Sequence, residues 1–222
     1  MKLVIGNKNY SSWSLRVWLA MAEADIAFEE VLIVLDQPDT KARIAEYSPS
    51  GRVPTLVDGD VVVWETLAIL EYLAERFPDK QLWPAERKAR TMARAIASEM
   101  HSGFMALRAA APMNLWRPIE AFPREPEVEA DVRRITTLWR EARSRYGAGG
   151  PFLFGRFSNA DAMYAPIATR LRTYAIPVDE VSAAYVETIH AMASFKRWRD
   201  AGLKETWLIA GDERDWPTVK RV

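Results

Sequence analysis

The sequence predicts an α/β first part of order βαβαββα followed by an all-helical second part. Three observations carry this reading. A hairpin runs straight into a helix over residues 55–77, a strand–helix–strand passage occupies residues 2–35, and only helical periodicity is found beyond residue 86. The first two together give the order of the thioredoxin-like fold.

Residues 2–5 form a short apolar strand, and Gly6-Asn7-Lys8-Asn9-Tyr10 is the polar turn that leaves it. A helix starts near Ser11 or Ser12, with Leu15, Trp18, Leu19 and Ala22 on one face and hydroxyls at 11, 12 and 14 to cap it. Residues 31–35, inside a strand spanning 28–35, are uninterruptedly apolar, the pattern of a strand buried on both faces in parallel pairing. The resulting βαβ unit is right-handed by rule. A short exposed helix is expected over 40–47. Thr55 to Val57 and Val61 to Trp64 then pair across Asp58-Gly59-Asp60, and Leu67, Leu70, Leu73, Ala74 and Phe77 recur at helical spacing before Pro78.

In the second part, residues 86–111 read as one long helix and 126–146 as another, closed by Gly147 and joined by a proline-bearing loop over 112–124 that either closes over a substrate or merely connects. Ser158-Asn159-Ala160-Asp161 has capping-box spacing with aspartate for the usual glutamate, ahead of Met163, Ile167 and Leu171. Pro166 costs that helix a backbone bond. Val181, Tyr185, Ile189 and Met192 mark a further helix, and Phe195 with Trp198 a last one before Gly202. The tail through Trp207, Asp212 and Trp216 is expected to pack back onto the body. The reading places a boundary after residue 78, giving units of 1–78 and 86–222.

Composition excludes several classes of function. Thirty basic residues balance thirty acidic ones in 222, which argues against a nucleic-acid partner or a membrane-surface patch and for a small-molecule substrate. The apolar start is too short for a signal peptide, and no stretch approaches the roughly 20 apolar residues of a membrane span, so a cytoplasmic location is expected. With no cysteine there is no disulfide, no thiolate metal site and no protein thiol for exchange chemistry. The two histidines, His101 and His190, lie far apart and no acidic cluster has ligand spacing, so no metal is expected.

Two features exceed what folding needs. Pro54 opens a strand, leaving the backbone of Val53 free to bind something extended. Glu65 and Thr66 sit in the first turn of the following helix, where free N–H groups and the helix dipole favour a ligand carboxylate. The same pair also suits a plain helix cap.

The segment RVPTLVDGDVVVWETLAILEYLAERFP resembles the glutathione-binding half of the soluble glutathione S-transferases. The resemblance implies a cis Pro54, pairing of the Val53 backbone with the cysteinyl part of glutathione, and capture of the γ-glutamyl end by Glu65 and Thr66. Asn9-Tyr10-Ser11-Ser12-Trp13-Ser14-Leu15-Arg16 resembles the zeta-class pattern Ser-Ser-Cys-Ser followed by arginine, with Trp13 in place of the cysteine. By that alignment Ser11 stabilises the glutathione thiolate, whereas theta-type counting back from Arg16 favours Ser12. All three serines would equally serve as caps. Residues 98–104 resemble a beta-class segment whose histidine faces the cleft, so His101, with Tyr10 and Trp13, is expected to touch substrate.

What the resemblance implies is a serine-type transferase, closest to zeta- and theta-like bacterial members. It uses glutathione as co-substrate against a small hydrophobic electrophile and forms a homodimer in which Met92, Ile96 and Met100 face the partner. A glutathione-dependent isomerase of the maleylacetoacetate type is the enzyme alternative. A non-catalytic binding or regulatory protein on the same fold is the other.

Overall fold

The computed structural model describes residues 1–121 and 123–214. Its first elements are β1 (Lys2–Ile5), α1 (Ser12–Glu23), β2 (Glu29–Leu32), α2 (Thr40–Ala45), β3 (Thr55–Asp58), β4 (Val61–Trp64) and α3 (Thr66–Arg76). The four strands form one mixed sheet of order β2-β1-β3-β4, parallel between β1 and β2 and antiparallel elsewhere. The predicted hairpin is present, with Thr55 opposite Trp64 and Asp58 opposite Val61. Gly59 makes its turn at φ +63°, a conformation that suits a residue without Cβ.

The second strand corrects the sequence reading. β2 spans only four residues at the sheet's edge, with Glu29 and Glu30 exposed and Val31 and Leu32 half-buried, so it is not covered on both faces. Part of the apolar run lies beyond it, where Ile33 packs with Val4 and Ile44 in a small cluster of its own.

The remainder is helical: α4 (Arg87–Ser102), α5 (Met105–Ala110), α6 (Pro126–Tyr146), α7 (Asn159–Thr173), α8 (Glu180–Ala191) and α9 (Ala193–Lys204). No described helix is long and apolar enough to cross a membrane. The single long helix expected over 86–111 is two. α4 ends as Gly103 N–H bonds Glu99 O at 2.8 Å, and Phe104 then takes φ +58°. α5 starts with Leu107 N–H donating to the Asp131 carboxylate of α6 at 3.0 Å, a cap supplied from another helix.

Helix α7 is the central post. Every residue of it except Arg172 is buried, and it packs against α1, α4 and α8. Its predicted capping box is present. Asp161 accepts from Ser158 N–H (2.9 Å) and Ser158 O–H (3.0 Å), and also from Leu153 N–H and Tyr185 O–H (both 3.0 Å). Four donors satisfy a fully buried carboxylate. One apolar core runs from Leu3 and Ile5 of the sheet to Ile167 and Phe195 of the helices. Asn159 ties the two parts, its N–H to Leu82 O (2.8 Å) and its amide to Leu70 O (3.1 Å).

Replacing Asp161 by alanine leaves four buried donors without an acceptor and is expected to cost on the order of 3–5 kcal/mol, read as a lowered denaturant midpoint. Burial pushes the carboxyl from 3.8 up to about 6 against those hydrogen bonds. Between these values the folded chain holds the proton more tightly than the unfolded one. This group's contribution to stability therefore falls as pH rises through that window and is level above it, a slope absent in Asp161→Asn.

Candidate active site

A cleft of about 380 Å³ opens where the two parts meet. The loop before β3 contributes Arg52, Val53 and Pro54, the start of α3 Glu65 and Thr66, and α1 contributes Trp13. From the helical part come His101 and Ser102 at the end of α4, with Met105 and Arg108 of α5. The structure thus gathers Trp13, Val53, Pro54, Glu65, Thr66 and His101, all singled out in the sequence, around one space.

The Val53–Pro54 bond is cis. Val53 precedes the paired residues of β3, whose register begins at Thr55, so its backbone is outside the ladder. Glu65 takes the N-cap place of α3 but does not cap it. Its φ is +66°, a strained value for a residue with a side chain, and its carboxylate makes no bond to the first turn. The carboxylate points instead toward His101, with Oε2 3.8 Å from Nε2. Thr66 is buried at that turn, and its hydroxyl donates to Trp13 O at 3.5 Å. An exposed carboxylate thus stands beside an uncapped helix N-terminus, an acceptor next to donors.

His101 lies edge-on to the Trp13 ring, 5.1 Å between centroids, and its Nδ1 is buried without a partner among the described residues. Burial lowers its pKa, Glu65 opposes this, and Arg16 and Arg108 add to it. The Trp13 ring also meets two guanidiniums, Arg16 at 4.2 Å and Arg108 at 4.9 Å from its centroid. Arg16 is fully buried: its Nε donates to Met163 O (2.9 Å), its Nη1 to Ser12 O (3.0 Å), and its Nη2 has no partner among the described residues. Its pKa is held well below the usual arginine range by burial and by the charges of Arg170 and Arg108. Burial likewise lowers Arg108, and burial with Arg108 brings Arg170 to about 10. Arg108 lines the cleft and lies close enough to Arg16 and Arg170 to lower the pKa of each, so positive charge is concentrated on that side.

The serines lie behind this space. Ser11 caps α1: its Oγ accepts weakly from Ser14 N–H at 3.4 Å and donates to Ser14 Oγ at 2.8 Å, while Gly6 N–H reaches the same Ser14 Oγ at 3.1 Å. Ser12 is half-buried and begins the helix. Neither lines the cleft, though Trp13 beside them does. Tyr10 is buried away from it, edge-on to Trp116 at 5.7 Å, with its hydroxyl donating to Glu213 at 2.6 Å. Burial and the Glu213 contacts raise its pKa, and with its O–H given to Glu213 and its ring outside the lining it is no donor to the cleft. Much of the 112–124 loop lies beneath the same turn, with Met113 to Arg117 buried. In the tail, Trp207 is partly exposed while Glu205 is buried, and Trp216 lies outside the described residues.

The sequence reading did not single out Arg52, Ser102, Met105 or Arg108, which also line the cleft. Arg108 belongs to no motif, and only the break between α4 and α5 turns it inward, where its Nη1 holds Gly103 O at 3.2 Å and His101 O at 3.4 Å.

Residues 10–76 match the family model described as glutathione S-transferase, N-terminal domain. A probable maleylacetoacetate isomerase of Caenorhabditis elegans is 29% identical over 159 residues, 69% of this chain and 73% of the relative. A stringent starvation protein A homolog of Pasteurella multocida is also 29% identical, over 71% of this chain and 69% of that protein. Among solved structures, a maleylacetoacetate isomerase from Methylobacterium extorquens with bound malonate and glutathione is 26% identical, covers 93% of this chain and 98% of its own, and superposes with a TM-score of 0.62. A glutathione transferase homolog from Burkholderia with bound glutathione is 21% identical, with TM-score 0.67 and coverage of 90% and 96%. The chain therefore carries a glutathione S-transferase N-terminal domain and has the thioredoxin-like plus all-helical fold of the glutathione transferases.

Proposed function

We propose that this protein is a glutathione-dependent transferase, with residues 1–78 holding glutathione and residues 86–222 the electrophile. The observation that carries the reading is at the start of α3, where Glu65 leaves its helix uncapped and offers its carboxylate to the cleft. The γ-glutamyl end of glutathione bears an ammonium and a carboxylate. Glu65 pairs with the first, while the first-turn N–H groups, with the Thr66 hydroxyl turned from its long 3.5 Å contact with Trp13 O, take the second. Val53 supplies the backbone edge for the cysteinyl part. With no cysteine in the chain, the nucleophile is the bound thiol. The start of α1, with Ser11 and Ser12, and the guanidiniums near Trp13 favour its thiolate by dipole and charge. Released to solvent as the thiol ionises, the proton leaves sulfur free to bond an electrophilic carbon while the leaving group departs. The cytoplasm, which supplies reduced glutathione, suits such an enzyme.

A second reading has a specific observation behind it. The expected hydrophobic electrophile sits poorly beside Arg108 and Arg52, and no ion pair to a carboxylate satisfies Arg16 or Arg108 among the described residues. An anionic electrophile fits better, and reversible thiolate addition to an unsaturated acid gives isomerisation instead of conjugation. The similarity to the probable maleylacetoacetate isomerase of Caenorhabditis elegans agrees with this. A non-catalytic role on the same fold gains nothing from the strained, outward-facing Glu65.

Homodimerisation is proposed on a different face from the one the sequence suggested. Ile96 and Met100 are buried in the chain's own core, whereas Val61, Val62 and Trp64 of the edge strand β4 are exposed. Sedimentation at micromolar concentration is expected to give a dimer, and Trp64→Glu to shift it toward monomer.

Calorimetry tests the glutathione site. Glu65→Gln is expected to weaken glutathione binding by roughly 1.5–3 kcal/mol, the scale of a charge-assisted bond, with little loss of thermal stability because the side chain caps nothing. Unchanged affinity refutes the assignment. The same titration repeated at lower pH is expected to show affinity falling as His101 becomes protonated. The charged imidazole then pairs with Glu65, and its lowered pKa confines the effect to pH below the usual histidine range. His101→Asn removes that dependence. Steady-state kinetics with matched neutral and carboxylate-bearing electrophiles separates the substrate readings. Arg108→Gln is expected to raise KM about tenfold for the anionic one only, and equal effects on both overturn the anionic reading.

A further inference from the structure

The turn from Asn7 to Ser11 carries the start of α1 to the cleft, yet few of its bonds are made within itself. Tyr10 N–H and Ser11 N–H both go to Asn7 O, at 3.2 and 2.8 Å. Lys8 N–H and Asn9 N–H are both taken by the carboxylate of Glu205, nearly two hundred residues away, at 2.7 Å (Oε1) and 2.9 Å (Oε2). Lys8 O accepts from Trp198 Nε1 at 2.9 Å. Asn9 Oδ1 accepts from Leu115 N–H (2.7 Å) and Trp116 N–H (3.0 Å). A second tail carboxylate, Glu213, receives Tyr10 O–H at 2.6 Å and the Asn114 amide at 2.9 Å. The approach is close: a Cβ on Gly202 would lie 3.2 Å from Asn9 N and 2.9 Å from Leu115 Cδ1.

We propose that Glu205 and Glu213 are positioning residues of the reaction: the C-terminal segment 205–213 fixes the turn that holds the start of α1, with Ser11 and Ser12 just behind the cleft wall, in place relative to the bound thiol. This rests on the transferase reading. Neither carboxylate touches the cleft. Each acts by clamping backbone or side chains of the turn, so displacement of the turn moves the serine hydroxyls and the first-turn N–H groups together. The proposal gives the 112–117 loop and the tail one shared task, which is to hold the far side of that turn. Glu205 suits the task because a two-oxygen acceptor matches two adjacent N–H donors, and glutamine in its place turns one acceptor into a donor facing an N–H.

The test reads the ionisation of glutathione bound to the intact protein, by the ultraviolet absorbance of the thiolate across pH, together with glutathione affinity by calorimetry. In Glu205→Gln the pKa of the bound thiol is expected to rise by roughly one unit, about a tenfold loss of thiolate below it. Glutathione affinity should stay within about twofold, because Val53, Glu65 and Thr66 are untouched. kcat then falls with KM little changed, and Glu205→Asp recovers part of the loss. Tyr10→Phe, which removes one hydroxyl, is expected to give a smaller rise in the same direction and carries the test if Glu205→Gln does not fold. Should Ser11→Ala or Ser12→Ala raise the thiol pKa while Glu205→Gln and Tyr10→Phe leave it unchanged, the positioning role is overturned and the transferase reading stands. A wild-type protein whose bound thiol ionises no more readily than free glutathione overturns both.

Discussion

Helix α1 is packed between the sheet and α7, and the cleft follows from that burial. From Ser14 to Met21 every residue of the helix is buried, and the helix touches β1, α3, α7 and α9. A helix enclosed in this way can present only an end. Its Arg16 has no route to solvent, so the guanidinium takes the carbonyls of Ser12 and Met163 and keeps one nitrogen unpaired. Such an arrangement is costly for stability. It persists where α1 meets the helical part, one turn below Trp13.

The charge placed there has a chemical consequence. Arg108 is close enough to Arg16 and Arg170 to lower the pKa of each, and Trp13 lies against Arg16 and Arg108. A negative group beside Arg108 offsets part of the repulsion among these guanidiniums. Glu65 works in the opposite sense, as a carboxylate held in a strained backbone conformation at a helix start that favours negative charge. One wall therefore suits an ammonium and the side of Arg108 suits an anion, the polarity that the proposed glutathione site requires.

Much of this was legible in the chain because it is local. The Asp58-Gly59-Asp60 turn, the alternation around it, and the Ser158-to-Asp161 spacing each encode their geometry within a few residues, and the hairpin and the capping box formed as read. What was misread depends on partners distant in sequence. The apolar run at 31–35 looked like a central strand, but pairing order placed β2 at the edge. The helix over 86–111 lost its continuity at Gly103 and Phe104, where the cap for the next helix comes from Asp131 on α6. Ile96 and Met100 faced a core and not a partner because α7 lies against α4. Val53, Pro54, Glu65 and Thr66 came together as the motif implied, whereas Tyr10 was drawn away by Glu213, a contact that no local pattern announces.

The shared core explains why a site can be built across the two parts at all. Were they separate globules, the start of α1 and the α4–α5 break would be related only by a linker. Instead Asn159 is bonded to both Leu70 and Leu82, Arg16 reaches the backbone of α7, and apolar packing is continuous from Leu3 to Phe195. Relative movement of the parts would break buried polar bonds as well as apolar contact, each lost bond costing about 1–3 kcal/mol. His101 and Arg108 are therefore held against Trp13 and Glu65 with the rigidity of a core. Groups on one part can polarise a ligand whose other end is anchored on the second, and positioning of that kind is what a site without its own nucleophile must supply.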